Sequence, residues 1–134
     1  MKYSEVIIRG GLGNQIFGLL QAYRVLLSQQ KVNLNLISFE YSRRIDRPFL
    51  LDKLYPNLQD DFKLSKGITS AIFYFYARLL EKFIFPPLQN RLPGDKEVVV
   101  NFLSSFQIYC GYFQKIDNSK MDKMALKFLL SRLK

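Results

Sequence analysis

A chain of 134 residues with 49% hydrophobic and 23% charged side chains has the size and composition of one globular domain with a core, which excludes a disordered or low-complexity chain. The single cysteine, Cys110, excludes an internal disulfide and a cysteine-based metal cluster, and the lack of histidine removes the commonest general base and metal ligand. A net charge of +9, from 20 basic and 11 acidic residues, favours anionic partners such as nucleotide-sugar phosphates or acidic lipid head groups, while no recognition motif accompanies it that would point to nucleic acid.

Residues 1–5 lack the form of a signal peptide, and no Asn-x-Ser/Thr acceptor occurs. A reducing, cytoplasmic setting is the expectation. Tyr3 to Ile8 then reads as a short strand with a buried apolar end, Val6-Ile7-Ile8. It runs into Arg9-Gly10-Gly11-Leu12-Gly13-Asn14-Gln15-Ile16-Phe17, the stretch around which the chain is organised. Gly10, Gly11 and Gly13 permit positive φ and close approach of a ligand to the backbone. Asn14 and Gln15 place two amides, each both donor and acceptor, at a helix start, a choice suited to an uncharged polyhydroxylated ligand. The alternative is a tight turn that only packs the helix on the sheet. The dinucleotide fingerprint needs a third glycine where Ile16 stands, and the phosphate loop needs Lys-Ser/Thr where Leu19-Leu20 follows Gly18, so neither common nucleotide loop is present.

Ile16, Leu19, Leu20, Tyr23, Leu26 and Leu27 recur at helical spacing, and Arg24 is the only charge from Asn14 to Gln30, so this helix is expected to be buried on most faces. Val32, Leu34 and Leu36 alternate with Asn33 and Asn35 as a second strand, which makes a parallel β-α-β crossover. From Ser38 to Asp61, turn and short-helix signals prevail, with Pro48 and Pro56 as punctuation. The loop carrying Arg43, Arg44, Asp46 and Arg47 follows the second strand and is either a solvated basic loop or part of a phosphate site. Residues 68–88 are rich in aromatics with Arg78, Glu81 and Lys82 among them; these charges oppose a membrane span and leave a core or lid helix ending at Pro86-Pro87, with an interfacial helix as the alternative. After a polar turn at Pro93-Gly94, residues 97–100 and 106–110 read as two more strands, with Cys110 a buried, inert thiol. Gly111, Tyr112 and Gln114 stand at the end of the second. Asp117 or Asn118 is expected to cap a last helix whose Met121, Met124, Ala125, Phe128 and Leu129 face inward. Among the carboxylates, Asp46, Asp52, Asp95 and Asp117 lie near strand ends or turns, and spacing singles out none as a catalytic base.

The segment Gly10-Gly11-Leu12-Gly13-Asn14-Gln15-Ile16-Phe17 resembles the amino-terminal signature of the galactoside α-1,2-fucosyltransferases, glycosyltransferase family 11, with one conservative change. Residues 108–114, Ile-Tyr-Cys-Gly-Tyr-Phe-Gln, resemble a second family segment, and residues 47–54, Arg-Pro-Phe-Leu-Leu-Asp-Lys-Leu, a weaker third, all in family order. The resemblance implies an α/β fold: a Rossmann-like parallel sheet flanked by helices, forming residues 1–134 as a single domain, the amino-terminal half of a GT-B-like glycosyltransferase. It implies transfer of fucose from GDP-fucose to the 2-hydroxyl of a galactoside in glycan or surface-polysaccharide biosynthesis, with inversion and no metal or other cofactor. The substrate-binding residues it implies are Gly10, Gly11, Gly13, Asn14, Gln15, Gly111, Tyr112 and Gln114. The family's donor segment, His-x-Arg-Arg-Gly-Asp, has no counterpart in this histidine-free sequence. The expectation is therefore a fragment lacking the carboxyl-terminal donor half, with little or no transfer by itself. Its partners would be a nucleotide sugar, a galactoside acceptor glycan and the missing half, with peripheral contact at the inner membrane face. The competing readings are a non-catalytic carbohydrate- or membrane-surface-binding module and a truncated relic without activity.

Overall fold

The computed structural model describes residues 3–28, 30–41, 48–84, 97–102, 106–111 and 119–133. They form an α/β domain. Its five-stranded sheet has the order β3-β2-β1-β5-β4, from β1 (Tyr3–Ile7), β2 (Lys31–Asn35), β3 (Lys63–Ser65), β4 (Glu97–Phe102) and β5 (Phe106–Gly111). Four strands, β3, β2, β1 and β5, run parallel, and β4 closes one edge as the antiparallel partner of β5. The antiparallel β4 departs from the all-parallel expectation. Only three residues separate β4 from β5, too few for a parallel crossover, so the second strand must turn back on the first. The three-residue β3 carries too short a pattern to be read from sequence.

Strand β1 sits in the middle, and its alternation sends Val6 and Ile8 to one face and Glu5 and Ile7 to the other. The Val6 face is apolar. There α1 (Leu12–Leu27) and α6 (Lys120–Ser131) pack with Leu34, Leu36, Tyr55 and Leu58 into the larger core, closed by Tyr23 against Phe62 and Phe128. The short helices α2 (Ile37–Tyr41), α3 (Leu51–Leu54) and α4 (Leu58–Asp61) carry the chain from β2 to β3, as the turn signals implied. The opposite face is covered by α5 (Ile68–Ile84), and among the described residues its core is Ile7, Ala77, Ile108 and Cys110, with Phe73, Tyr74 and Phe106 packed against it. So α5 is a packed layer of the domain.

Covering both faces changes the reading of β2. Asn33 and Asn35 alternate with apolar residues as they would in a strand with one wet side, yet both are buried, Asn33 against the Tyr3 hydroxyl and Asn35 beneath the start of α5. Asn35 Nδ2 donates to Glu5 Oε1 at 2.5 Å and to the Ser70 carbonyl at 2.7 Å, while its Oδ1 accepts the Ile37 N–H at 3.0 Å. Ser65 and Ser70 hydroxyls meet beside them.

Two expectations for α6 are corrected. Its cap is Ser119, whose hydroxyl accepts the Asp122 N–H at 3.1 Å. Its inner face is Asp122, Ala125 and Leu129, while Met121 and Met124 are 44% and 42% exposed. The helix is turned relative to its apolar pattern because Asp122 is drawn in by Arg24 of α1, with Nε–Oδ1 at 2.7 Å and Nη2–Oδ2 at 3.2 Å.

Arg24→Ala strands the buried carboxylate of Asp122 and is expected to cost about 2–3 kcal/mol, read as a fall in urea midpoint. Replacing both partners by leucine should cost less, because no charge is then left without its counterpart.

Candidate functional site

The chain builds outward from β1 through β2 to β3, then returns across the far face by α5 to add β4 and β5 on the free side of β1. Strand order thus reverses at β1, and in open α/β sheets ligands bind outside the carboxyl ends of strands at such a point. The glycine turn lies there. Because Val6 is opposite Tyr109 in the parallel β1–β5 register, Arg9-Gly10-Gly11 and Gly111 leave the sheet side by side. Two segments about 100 residues apart in sequence converge on one edge.

Of the three glycines in the turn, Gly10 alone takes a positive φ, +82°, where a Cβ would also stand 2.8 Å from Asn14 Nδ2 and 3.1 Å from Asn14 Cβ. Gly11 is the extended N-cap of α1, with no side-chain cap bond, and Gly13 is inside its first turn. Among the described residues a Cβ on either would meet nothing within 4 Å. The N-cap position suits glycine at Gly11, and close packing among the described residues does not require it at Gly13. Gly18 explains the close seating of α1, since a Cβ there would press on Ile8 Cδ1 at 2.8 Å.

Asn14 is half-buried at the same mouth. Gln15 is fully buried, and its amide is spent inside the protein. Nε2 donates to the Gly10 carbonyl at 3.0 Å and the Pro48 carbonyl at 2.9 Å, and Oε1 accepts the Leu50 N–H at 2.9 Å. The structure makes Gln15 a positioning residue that pins the 48–50 segment to the turn. Spacing carried that signal, since Gln15 shares a helical face with the buried Leu19 and Ala22. Gly111 is buried at the end of β5. Tyr112 and Gln114 lie outside the described residues, as do Arg43, Arg44, Asp46, Arg47, Asp95 and Asp117, whereas Asp52 is exposed on α3.

Sequence reasoning assigned no role to Arg9. It is buried, and its guanidinium grips Glu81 of α5 through two bonds, Nη1–Oε2 at 3.0 Å and Nη2–Oε1 at 2.9 Å. Arg78 reaches the same carboxylate at 3.1 Å, and the Cys110 thiol donates to it at 3.3 Å. Burial pushes the Glu81 carboxyl up, but the hydrogen bond and charge of Arg9, with Arg78 and Cys110, outweigh it and hold Glu81 below the usual carboxylate range. Burial pushes the Cys110 thiol up to about 12, so it is an inert sulfur. The clue was a lone acid in an apolar helix, set at helical spacing from the buried Ser70 and Ala77.

Glu5 is the other buried carboxylate under α5. Burial raises its pKa, and the hydrogen bonds of Ser70 and Asn35 and the charge of Lys63 only partly oppose that. It lies within the sheet, one turn of alternation below the mouth. A separate cavity of about 700 Å³ opens at the opposite, amino ends of β1, β2 and β3, lined by Lys31, Lys63, Asp60 and Asp61 among others. Its charges are balanced and it lies away from the glycine turn. Among the described residues no group of three or more His, Cys, Asp or Glu is placed to hold a metal, and no helix is long and apolar enough to cross a membrane.

These features define an α/β domain whose glycine turn opens at the carboxyl ends of a mostly parallel sheet. No family model, curated protein or solved structure matches the chain.

Removing the Gln15 amide leaves two carbonyls and the Leu50 N–H without partners, so Gln15→Ala should cost about 3 kcal/mol; Gly10→Ala should cost about 1–2 kcal/mol through its left-handed φ. Chemical denaturation of each variant measures both. For Glu5, the raised native pKa means that the folded state binds the proton more tightly than the unfolded chain. Its contribution is full below the unfolded carboxyl pKa and fades as pH rises through the native one. Glu5→Gln should remove that decline, so the stability gap between variant and wild type should move in the variant's favour as pH rises, followed by urea midpoint against pH.

Proposed function

We propose that the carboxyl-end site handles the sugars in a glycosyl transfer, as one wall of a GT-B-like enzyme similar to the galactoside α-1,2-fucosyltransferases. One observation carries the reading: the three separated segments that resemble that family converge. Gln15 of the first segment bonds Pro48 and Leu50 of the second, and the first leaves β1 beside Gly111 of the third. A fold that spends buried hydrogen bonds to bring these segments to one strand end has a use for that end.

In this reading the 2-hydroxyl oxygen of a galactoside bonds to the anomeric carbon of fucose from the face opposite GDP. The bond to GDP breaks as the diphosphate departs with its electron pair, and the hydroxyl proton passes to a base. Gly11 and Gly13 leave an open approach to the backbone at the start of the 16-residue α1. First-turn N–H groups and the helix dipole favour negative charge there, and Asn14 offers an amide to sugar hydroxyls. Tyr112 and Gln114 belong to the same proposed site on the resemblance alone. The donor segment His-x-Arg-Arg-Gly-Asp is not among the 134 residues, so substrate binding, not turnover, is the proper test of this chain.

Saturation-transfer NMR with lactose, methyl glucoside and GDP-fucose provides it. Lactose should show contacts that the glucoside does not, and Gly13→Ala should weaken them while raising stability by about 0.5–1 kcal/mol from helix propensity. Absence of any sugar or GDP-fucose contact with the folded wild type overturns the reading, as does undiminished lactose binding by Gly13→Ala. Lactose binding with no response to GDP-fucose would favour a non-catalytic carbohydrate-binding module.

A further inference from the structure

The outer face of α5 is apolar and largely exposed. Ile68 is 82% exposed, Ile72 61%, Phe75 50%, Tyr76 41% and Leu79 53%, and they recur at the spacing of one helical stripe. Tyr41, 61% exposed, extends the stripe from α2 and meets Phe75 edge-on with ring centroids 5.4 Å apart. Between them a cavity of about 520 Å³ reaches to Lys66 and Gly67. A contiguous patch of this kind marks an interaction surface, where scattered single residues would not.

Charge identifies what it meets. Around the stripe, Lys66, Arg78 and Lys82 stand in the sequence with two anions, Glu40 of α2, which pairs with Lys66, and Glu81. Glu81 is turned inward onto Arg9, with Arg78 reaching it from the surface, and is buried, so it does not face outward with the stripe. Lys66 stands at the head of the stripe, more than half exposed and 3.3 Å from the exposed Glu40; Arg78 stands near its other end with a 40% exposed side chain. An apolar helix face with aromatic residues, bordered by cations in a protein of net charge +9, is complementary to an acidic lipid surface. A second copy of the chain would bring another +9 against the same face, which opposes self-association.

We infer that α5 lies with the Ile68–Leu79 stripe in the interfacial layer of an anionic bilayer, its apolar side chains below the head groups and its cations level with them. The protein then binds membranes peripherally, through a helix that remains packed on its sheet by the inner side. This inference is independent of the galactoside reading, and sugar-free vesicles test it separately.

The experiment is vesicle co-sedimentation of the full chain with phosphatidylcholine alone and with added phosphatidylglycerol, beside an Ile72→Ser/Phe75→Ser variant. Both substituted residues are at least half exposed, so the variant is expected to fold, and circular dichroism checks that it does. Binding should rise roughly tenfold with the anionic lipid and fall as salt screens it. The double variant should lose about tenfold or more of that binding. Wild-type protein that stays in the supernatant with anionic vesicles overturns the inference, as does a folded variant that sediments as well as wild type. Sedimentation velocity showing a dimer that the same substitutions dissolve would assign the face to a second copy instead.

Discussion

The buried ion pair between Arg9 and Glu81 holds the carboxyl end of the domain together. It joins the residue that opens the glycine turn to a helix 72 positions later in the chain, across a face with few apolar contacts. On the Val6 side, burial of a large apolar core fixes the helices. On the Ile7 side, the core among the described residues is smaller, Ile7, Ala77, Ile108 and Cys110 with Phe73, Tyr74 and Phe106 packed against it, and the ion pair adds a fixed direction to that packing. A two-pronged guanidinium–carboxylate contact is directional where hydrophobic contact is not. Its desolvation cost offsets much of its attraction, so its contribution is placement more than net stability. Glu5, Asn35 and Ser70 act alike under the first turn of the helix.

The glycine turn combines two kinds of requirement. Gly10 and Gly18 answer to the chain itself, one through its backbone angle and one through the approach of α1 to Ile8. Among the described residues nothing stands within 4 Å of a Cβ placed on Gly11 or Gly13; Gly11 suits its N-cap position, where glycine is preferred to alanine, and Gly13, inside the first turn, weakens a helix start that alanine would strengthen. The turn lies at a strand end beside the end of a neighbouring parallel strand, the place where open α/β sheets bind ligands.

Much of this was legible in the residues. Val6-Ile7-Ile8, the glycine turn and the 3.6-residue pattern after it located β1 and α1, and the β-α-β order implied their parallel pairing with β2. Hydrophobic periodicity reports such local facts because each element must bury its own stripe. The site was legible only in part. Asn14 and Gln15 look equivalent in sequence, yet Asn14 is half-buried and Gln15 is fully buried and bonded to Gly10, Pro48 and Leu50. Arg9 carries no sequence signal of its role, because its partner Glu81 is 72 residues away.

The sequence by itself determined the longer strands and helices and where the chain turns, though not the three-residue β3, since those follow from side-chain spacing and glycine and proline placement. Tertiary structure alone decided which faces those elements present. The inner phase of α6 depends on Arg24, 98 residues before Asp122, and the burial of Asn35 depends on α5 covering a side of the sheet whose pattern reads as wet. It also decided that β5 inserts beside β1, bringing Gly111 to the glycine turn. Periodicity records how much of a segment is apolar, whereas burial of a polar group depends on a partner that satisfies it, and that partner is chosen by the fold.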